Sequence, residues 1–137
     1  MKIRSAEKKD LKDCENLIRV PELTYGAGHY IDKEFMENYL DPDLFLVGEI
    51  NSEIIGLIIS EKLKGKGIII MYLVVKKEYQ GKGFGRRLVA ELEKRCKKTG
   101  INWAVLYAPA QNNETLKFYK KIGFIKGHNL YEFVKEF

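Results

Sequence analysis

Apolar and polar positions along this chain follow two periods, one typical of helices and one typical of strands. Apolar residues three or four apart predict a helix after Ser5, a short one after Asp32, and further helices over 84–98 and 114–122. Short runs of aliphatic and β-branched residues predict strands over 1–4, 44–50, 54–61, 68–75, 102–108, 124–126 and 130–137. The predicted order is therefore strand, two helices, three strands, helix, strand, helix and two closing strands.

The links between these elements predict how the strands pair. Short polar connections at 51–52 and 64–67 favour an antiparallel meander. The strands on either side of the helix over 84–98 form a crossover unit, so we expect them to be parallel and their connection to be right-handed. We therefore predict an α+β fold, with a mixed, mostly antiparallel central sheet and helices on both faces. The length of 137 residues fits a single domain over 1–137.

The composition excludes several classes of protein. A hydrophobic content of 45% and a charged content of 31% are those of an ordinary globular protein rather than a disordered one. The apolar runs are too short to span a bilayer, and the amino terminus lacks the apolar core of a signal peptide. We therefore expect a cytoplasmic protein without a membrane partner. Cys14 and Cys96 fall on apolar helix stripes without metal-ligand spacing, so we expect buried thiols and no metal site.

The net charge of +5 is unevenly distributed. Lys and Arg outnumber Glu between Lys76 and Lys98, which concentrates positive charge around a glycine-rich segment. Such an excess suits a nucleic acid, an acidic substrate or a polyphosphate cofactor. The chain lacks a recognisable recognition helix or stacking-aromatic motif, so a nucleic-acid partner is not expected.

The glycine-rich segment lies between an apolar strand and an amphipathic helix and reads Gln80-Gly81-Lys82-Gly83-Phe84-Gly85. Glycines permit positive φ and close approach of an anion, and the first-turn amides of the following helix would point at that anion. No Lys-Ser or Lys-Thr pair follows, which excludes a Walker loop, and the dinucleotide fingerprint Gly-x-Gly-x-x-Gly is absent. The segment predicts a phosphate-binding loop, although a tight strand-to-helix turn alone would also explain its glycines.

A second segment contains Asn112, Tyr119 and the pair Gly123-Phe124. Together with the segment after Gln80, it resembles the acyl-coenzyme A motifs of the GCN5-related N-acetyltransferases (GNAT), and the predicted order of elements is compatible over the whole chain. The resemblance implies the GNAT acyl-CoA N-acyltransferase fold and acetyl-CoA as cofactor. It also implies direct transfer of the acetyl group to a primary amine of a protein, peptide or small molecule.

The resemblance further implies roles for individual residues. The hydroxyl of Tyr119 would supply a proton or a hydrogen bond to the departing thiolate. The cofactor would be held by Leu73, Val74, Val75, Gln80, Gly81, Lys82, Gly83, Phe84, Gly85, Arg86 and Asn112. The acceptor would be contacted by Tyr25, His29, Tyr30 and Tyr72.

The residue pattern leaves alternatives open. Tyr119 lies at helical spacing that also suits a core aromatic, and Asn112 could cap its helix with or without binding cofactor. Many relatives carry a glutamate on the strand before the glycine loop, where this chain has Met71 and Tyr72. The base is therefore open between Glu61, a water chain and no residue at all. A catalytically silent acyl-CoA-binding sensor or interaction domain is the alternative function, and the oligomeric state is undecided, with a homodimer allowed.

Overall fold

The computed structural model describes residues 1–23 and 28–137, apart from the side chain of Glu22. The chain divides into two compact units, Met1–Leu106 and Tyr107–Phe137. That residues 1–137 act as a single domain stays a prediction. In the described part of the chain, no helix is long and apolar enough to cross a membrane.

The first unit is built on a five-stranded sheet in the order β1-β2-β3-β4-β5. Its elements are β1 (Lys2–Ser5), α1 (Leu11–Ile18), α2 (Lys33–Glu37), β2 (Phe45–Ile50), β3 (Glu53–Lys62), β4 (Gly67–Val75), α3 (Phe84–Lys98) and β5 (Trp103–Leu106). Strands β1 to β4 pair antiparallel, and β4 pairs with β5 in parallel. The prediction of a mixed, mostly antiparallel sheet is confirmed.

Helices cover both faces of this sheet. Phe45, Leu57 and Val74 point to one face, where they join a core formed with side chains of α1 and α2. Helix α3 packs against the opposite face. Leu88 of this helix lies so close to Gly56 of β3 that an added Cβ on Gly56 would be only 3.1 Å from Cδ1 of Leu88. Successive side chains of β3 point to opposite faces of the sheet, so this apolar strand packs against the helices on both faces. The sequence prediction of helices on both faces is confirmed.

A buried ion pair connects β1 to the start of α1. The Arg4 guanidinium donates to both oxygens of Asp10, at 2.7 and 2.9 Å, and to Glu49 at 3.2 Å. The backbone amide of Glu7 also donates to Asp10, whose residue surface is only 4% exposed. The hydrogen bond from Arg4 is the main reason that the pKa of Asp10 lies below its ordinary value of 3.8.

The second unit contains one helix, α4 (Asn113–Lys121), and residues 124–137 form neither helix nor strand. The predicted strands over 124–126 and 130–137 are therefore wrong for this structure. Their composition favours extended backbone, but a strand also requires a neighbour to complete its hydrogen bonds, and no strand pairs with them in the described chain. Strand β5 is also shorter than predicted, since it ends at Leu106.

Candidate functional site

The loop between β4 and α3 takes its shape from two glycines. Gly81 has a φ of 75° and Gly83 a φ of 82°, both in the left-handed region that only glycine adopts at little cost. A Cβ at either position would meet no atom within 4 Å, so backbone conformation rather than crowding requires glycine here. Gly85 lies inside the first turn of α3 and is not among the residues with positive φ.

The amino terminus of α3 has no capping side chain. Gly83 is its N-cap residue, and the first hydrogen bond into the helix runs from the Arg87 amide to the Gly83 carbonyl oxygen at 3.1 Å. The preceding amides of Phe84, Gly85 and Arg86 have no acceptor in the described part of the chain. These amides, at the positive end of a fifteen-residue helix, form a site suited to an anion.

Helices α2 and α4 have the side-chain caps that α3 lacks. In α2, the Asp32 carboxylate accepts from the Phe35 amide at 2.8 Å. In α4, the Asn112 side-chain oxygen accepts from the Thr115 amide at 3.1 Å. Two helices of this chain therefore use ordinary side-chain caps, whereas the helix after the glycine loop leaves its first-turn amides to solvent.

Cations near this helix end are not equivalent. Arg87 donates to the Met1 carbonyl oxygen at 2.7 Å, so its guanidinium is engaged elsewhere. Lys82 is exposed, and its Nζ lies 5.7 Å from the centre of the Tyr79 ring. Arg86 is exposed and makes no ion pair within residues 1–23 and 28–137. Lys82 and Arg86 are therefore the cations best available to a bound phosphate.

Gln80 and Phe84 hold the loop in place. The Gln80 side-chain amide donates to the Val75 carbonyl oxygen at 2.9 Å, which joins the start of the glycine segment to the end of β4. The Phe84 ring is half-buried, with its centre 6.0 Å from that of Tyr79. Both predicted cofactor residues thus have a structural role in shaping the loop.

Strand β4 extends beyond β5 at its carboxyl end. Its ladder with β5 stops at the pair Ile70 and Leu106, whereas β4 continues to Val75. The Lys76 amide donates to the Ile55 carbonyl oxygen of β3. Because backbone groups alternate along a strand, those of Leu73 and Val75 face away from β3.

Val74 differs from its two neighbours in β4. It pairs with Leu57, its backbone groups face β3 by the same alternation, and its side chain is buried in the core with α1 and α2. Of the three predicted residues of β4, Leu73 and Val75 therefore have backbone groups that point away from β3, and Val74 has backbone groups that point toward β3 and a side chain buried in the core.

The second unit contains the remaining predicted residues, Asn112 and Tyr119. The oxygen of Asn112 caps α4, which leaves its side-chain NH2 group able to donate elsewhere. The Tyr119 ring packs edge-on against Phe118 and Phe124, with ring centres 5.1 and 5.5 Å away. Burial raises the pKa of the Tyr119 phenol above its ordinary value of 10.0, so the hydroxyl is neutral at physiological pH.

The predicted acceptor contacts are only partly described. Tyr25 lies outside the described residues. His29 is exposed, and Tyr72 is half-buried against the core formed with α1 and α2. Tyr30 lines an open cleft of about 310 Å³. The residues around this cleft are Tyr30, Ile31, Asp32, Glu34, Phe35 and Asn38.

Sequence reasoning missed most of that cleft. Asp32 caps α2, and Phe35 on the same helix is 42% exposed. Glu61, one of the open choices for the base, is exposed on β3, and burial together with its charge raises the pKa of Tyr39. No sequence motif marks these positions as a group.

Comparison with known proteins agrees with this geometry. The model of the acetyltransferase (GNAT) family matches residues 11–124. An acetyltransferase of Photorhabdus laumondii is 32% identical over 129 residues, which cover 93% of this chain and 89% of that protein.

Solved structures of acetyltransferases are also similar to this chain. The PaiA N-acetyltransferase of Thermoplasma acidophilum, in complex with coenzyme A, has a TM-score of 0.78 and 31% identity, covering 90% of this chain and 89% of that one. An aminoglycoside acetyltransferase from an uncultured soil metagenomic sample, in complex with sisomicin, has a TM-score of 0.77 at 20% identity and covers 99% and 95% of the two chains. The latter likeness shows the fold alone.

The chain belongs to the acetyltransferase (GNAT) family, and it has that family's fold. Its cofactor is acetyl-CoA. The residues present fit this cofactor, because a helix end without a side-chain cap, the exposed cations Lys82 and Arg86, and the part of β4 beyond its ladder with β5 occur together in the first unit. The resemblance drawn from the two sequence motifs is confirmed.

Proposed function

We propose that this protein is an N-acetyltransferase that transfers the acetyl group of acetyl-CoA directly to a primary amine of a protein, a peptide or a small molecule. The observation that carries the proposal is the uncapped amino terminus of α3 behind Gly81 and Gly83. The family supports acetyl transfer in general. The complex of the soil aminoglycoside acetyltransferase with sisomicin shows that a protein of this fold can bind an amine-bearing molecule.

Residues of the first unit would bind the cofactor. The amides of Phe84, Gly85 and Arg86 would donate to the diphosphate, and Lys82 and Arg86 would supply positive charge. The outward-facing backbone groups of Leu73 and the amide of Val75 would pair with the pantetheine arm along the edge of β4, because the Val75 carbonyl oxygen already accepts from Gln80. When bound, the cofactor supplies an activated thioester. A backbone amide aimed at the thioester oxygen would contribute about 3 to 4 kcal/mol of transition-state stabilisation.

Tyr119 would act on the leaving group by donating a hydrogen bond. An ordinary tyrosine is a weaker acid than a thiol, so complete proton transfer to the thiolate costs about 2 kcal/mol. Burial raises the pKa of Tyr119 further, which increases this cost. A neutral phenol that donates without ionising therefore fits the observed environment better than a full proton donor.

The amine must lose a proton before it can attack. An alkylamine with a pKa near that of lysine, about 10.4, is almost fully charged at neutral pH. Glu61 is exposed on β3 and is one candidate for the base; a water chain and no residue at all are the other two alternatives. The absence of a strand glutamate at Met71 and Tyr72 is also what supports the alternative function, a silent acyl-CoA sensor.

A thiol-release assay separates these two functions. Acetyl-CoA is incubated with the protein and a panel of amines, free coenzyme A is followed with a thiol reagent, and products are identified by mass spectrometry. Burial raises the pKa of Cys14 to about 12 and also that of Cys96, so the protein's own thiols give little background. Amine-dependent release supports the enzyme; saturable binding without release on any amine supports the sensor. The cytoplasmic location stays a prediction.

A further inference from the structure

Glu15 is a buried carboxylate on α1 that the proposed function does not use. Its residue surface is only 7% exposed. A buried charge is stable only where hydrogen bonds or opposite charges compensate for the loss of water. The partners of Glu15 therefore identify the part of the structure that this carboxylate supports.

One oxygen of Glu15 binds the backbone of a distant residue. Its Oε2 accepts from the Lys33 backbone amide at 2.7 Å, a contact between residues 18 positions apart. Its Oε1 accepts from the side chains of Lys12 at 3.3 Å and Arg19 at 3.4 Å, but both cations are exposed, and exposed ion pairs contribute little. The backbone contact is therefore the principal one, and it is the main reason that the pKa of Glu15 lies below its ordinary value of 4.5.

The Lys33 amide belongs to the first turn of α2, where a helix leaves its own amides without an acceptor. Next to it, the Asp32 carboxylate accepts from the Phe35 amide at 2.8 Å, and the Asp32 carbonyl oxygen accepts from the Met36 amide at 3.0 Å. Two carboxylates, one local and one from α1, thus fix the start of α2. A helix of five residues is too short to be stable in isolation, so its position depends on such contacts.

The open cleft of about 310 Å³ is formed by the same stretch of backbone. Its lining residues lie within 30–38, on both sides of Lys33. They include the carboxylates of Asp32 and Glu34 and the aromatic ring of Tyr30, groups that attract a protonated amine. A shift of the backbone at Lys33 would therefore move the groups that line the cleft.

We propose that Glu15 is a positioning residue for the acceptor amine. By holding the Lys33 amide, it fixes the start of α2 and the cleft in which the amine is bound, and it acts through α2 rather than on the amine directly. This role rests on the proposed function, in which Tyr30 contacts the acceptor. Cofactor binding is independent of Glu15, because α3 packs against the face of the sheet opposite to α1 and α2.

Lys33→Pro removes the contact with little other change. Proline is favoured at the first position of a helix, and the preceding Asp32, with φ −103° and ψ 178°, already has extended backbone. The variant loses the donor to Glu15 and an exposed side chain, whereas the matched control Lys33→Ala loses the side chain alone. With an amine identified by thiol release, kcat/KM for the amine should be about tenfold lower in Lys33→Pro than in the control, at an equal KM for acetyl-CoA.

Variants of Glu15 test the other side of the contact. Glu15→Gln keeps an oxygen that can accept from Lys33 and should retain most of the activity, whereas Glu15→Leu removes this oxygen and should match Lys33→Pro. An unchanged kcat/KM for the amine in Lys33→Pro, or a parallel rise in the KM for acetyl-CoA, would overturn the positioning role. The same loss in Glu15→Gln as in Glu15→Leu would also overturn it. If Glu15→Leu does not fold, Lys33→Pro and its control still decide.

Hydrogen exchange separates this inference from the proposed function. The amides of Phe35 and Met36, both bonded to Asp32, should exchange faster in Lys33→Pro than in Lys33→Ala. Equal exchange in the two variants would overturn the role of Glu15 in fixing α2. If wild type acetylates no amine, the proposed function fails, and exchange at these two amides still decides whether Glu15 fixes the cleft.

Discussion

The Gln80 side chain donates a hydrogen bond to the carbonyl oxygen of Val75 at 2.9 Å. This contact spans the 3₁₀ turn Lys77–Tyr79 and connects the last residue of β4 to the residue that opens the glycine segment. It therefore links the strand edge proposed for the pantetheine arm with the helix end proposed for the diphosphate. One side chain thus connects the two parts of the proposed cofactor site.

Replacing Gln80 by methionine should weaken this link. Gln80→Met keeps the length of the side chain but removes the donor, so the loop should become more mobile and coenzyme A should bind several-fold more weakly. The melting temperature should fall by no more than a few degrees, because an exposed hydrogen bond contributes only about 1 kcal/mol. Calorimetric titration and amide hydrogen exchange of residues 76–83 measure the two effects. Unchanged affinity would show that the contact is incidental to binding.

Gly83 and Gly65 form a matched pair for testing the loop. Both have positive φ, 82° and 89°, and a Cβ at either would meet nothing within 4 Å. Alanine at either position should therefore cost a similar 1 to 2 kcal/mol, about the strain of a left-handed residue. Only Gly83→Ala should weaken coenzyme A binding, since Gly65 lies in the turn between β3 and β4. Equal affinity of the two variants for coenzyme A would show that the conformation of the glycine loop does not contribute to cofactor binding.

Tyr119→Phe should slow turnover about 100-fold with little change in the KM for acetyl-CoA. The ring contacts with Phe118 and Phe124 are kept, so stability should be close to wild type. Because the pKa of Tyr119 is raised, its phenol stays protonated through neutral and mildly alkaline pH, and loss of this proton should not limit the rate there. Steady-state kinetics against pH measure both. Full activity in the variant would show that Tyr119 has only a structural role.

The pair formed by Arg4 and Asp10 should make stability depend on acid pH. The pKa of Asp10 is lowered in the folded protein, so its contribution is complete above its ordinary value of 3.8 and is lost as pH falls below that value toward the folded-state pKa. Asp10→Asn should cost about 1 to 3 kcal/mol at neutral pH and flatten this part of the profile. Urea unfolding between neutral pH and pH 3 measures it.

The control for that experiment is Asp13→Asn, on the exposed side of α1. It should keep both the neutral-pH stability and the acid slope of the wild-type protein. The same acid slope in Asp10→Asn as in wild type would assign the pH dependence to other carboxylates.

The sequence predicted the strands and helices of the first unit well because their signals are local. The apolar runs that form β2, β3 and β4 end within a residue of their predicted bounds, since they are largely apolar and bordered by polar turns. Helix α3 begins and ends as predicted, between Gly83 and Gly100, both with positive φ. Glycine therefore marked both ends of the helix that carries the proposed anion site.

The second unit could not be predicted in the same way. The residues over 130–137 favour a strand, but strand formation depends on a partner edge that local composition does not reveal. The cleft around Tyr30 and Phe35 was also missed, because an exposed aromatic on a short helix has the same spacing as a buried one.

The central claim is that the free amides at the start of α3 bind the diphosphate of acetyl-CoA, and backbone NMR tests it most directly. Titration of the ¹⁵N-labelled protein with coenzyme A should shift the amide signals of Phe84, Gly85 and Arg86 strongly and saturably. The amide of Phe35, already bonded to Asp32, should hardly move. Saturable binding that leaves the three α3 amides unshifted, or no binding at all, would contradict the account.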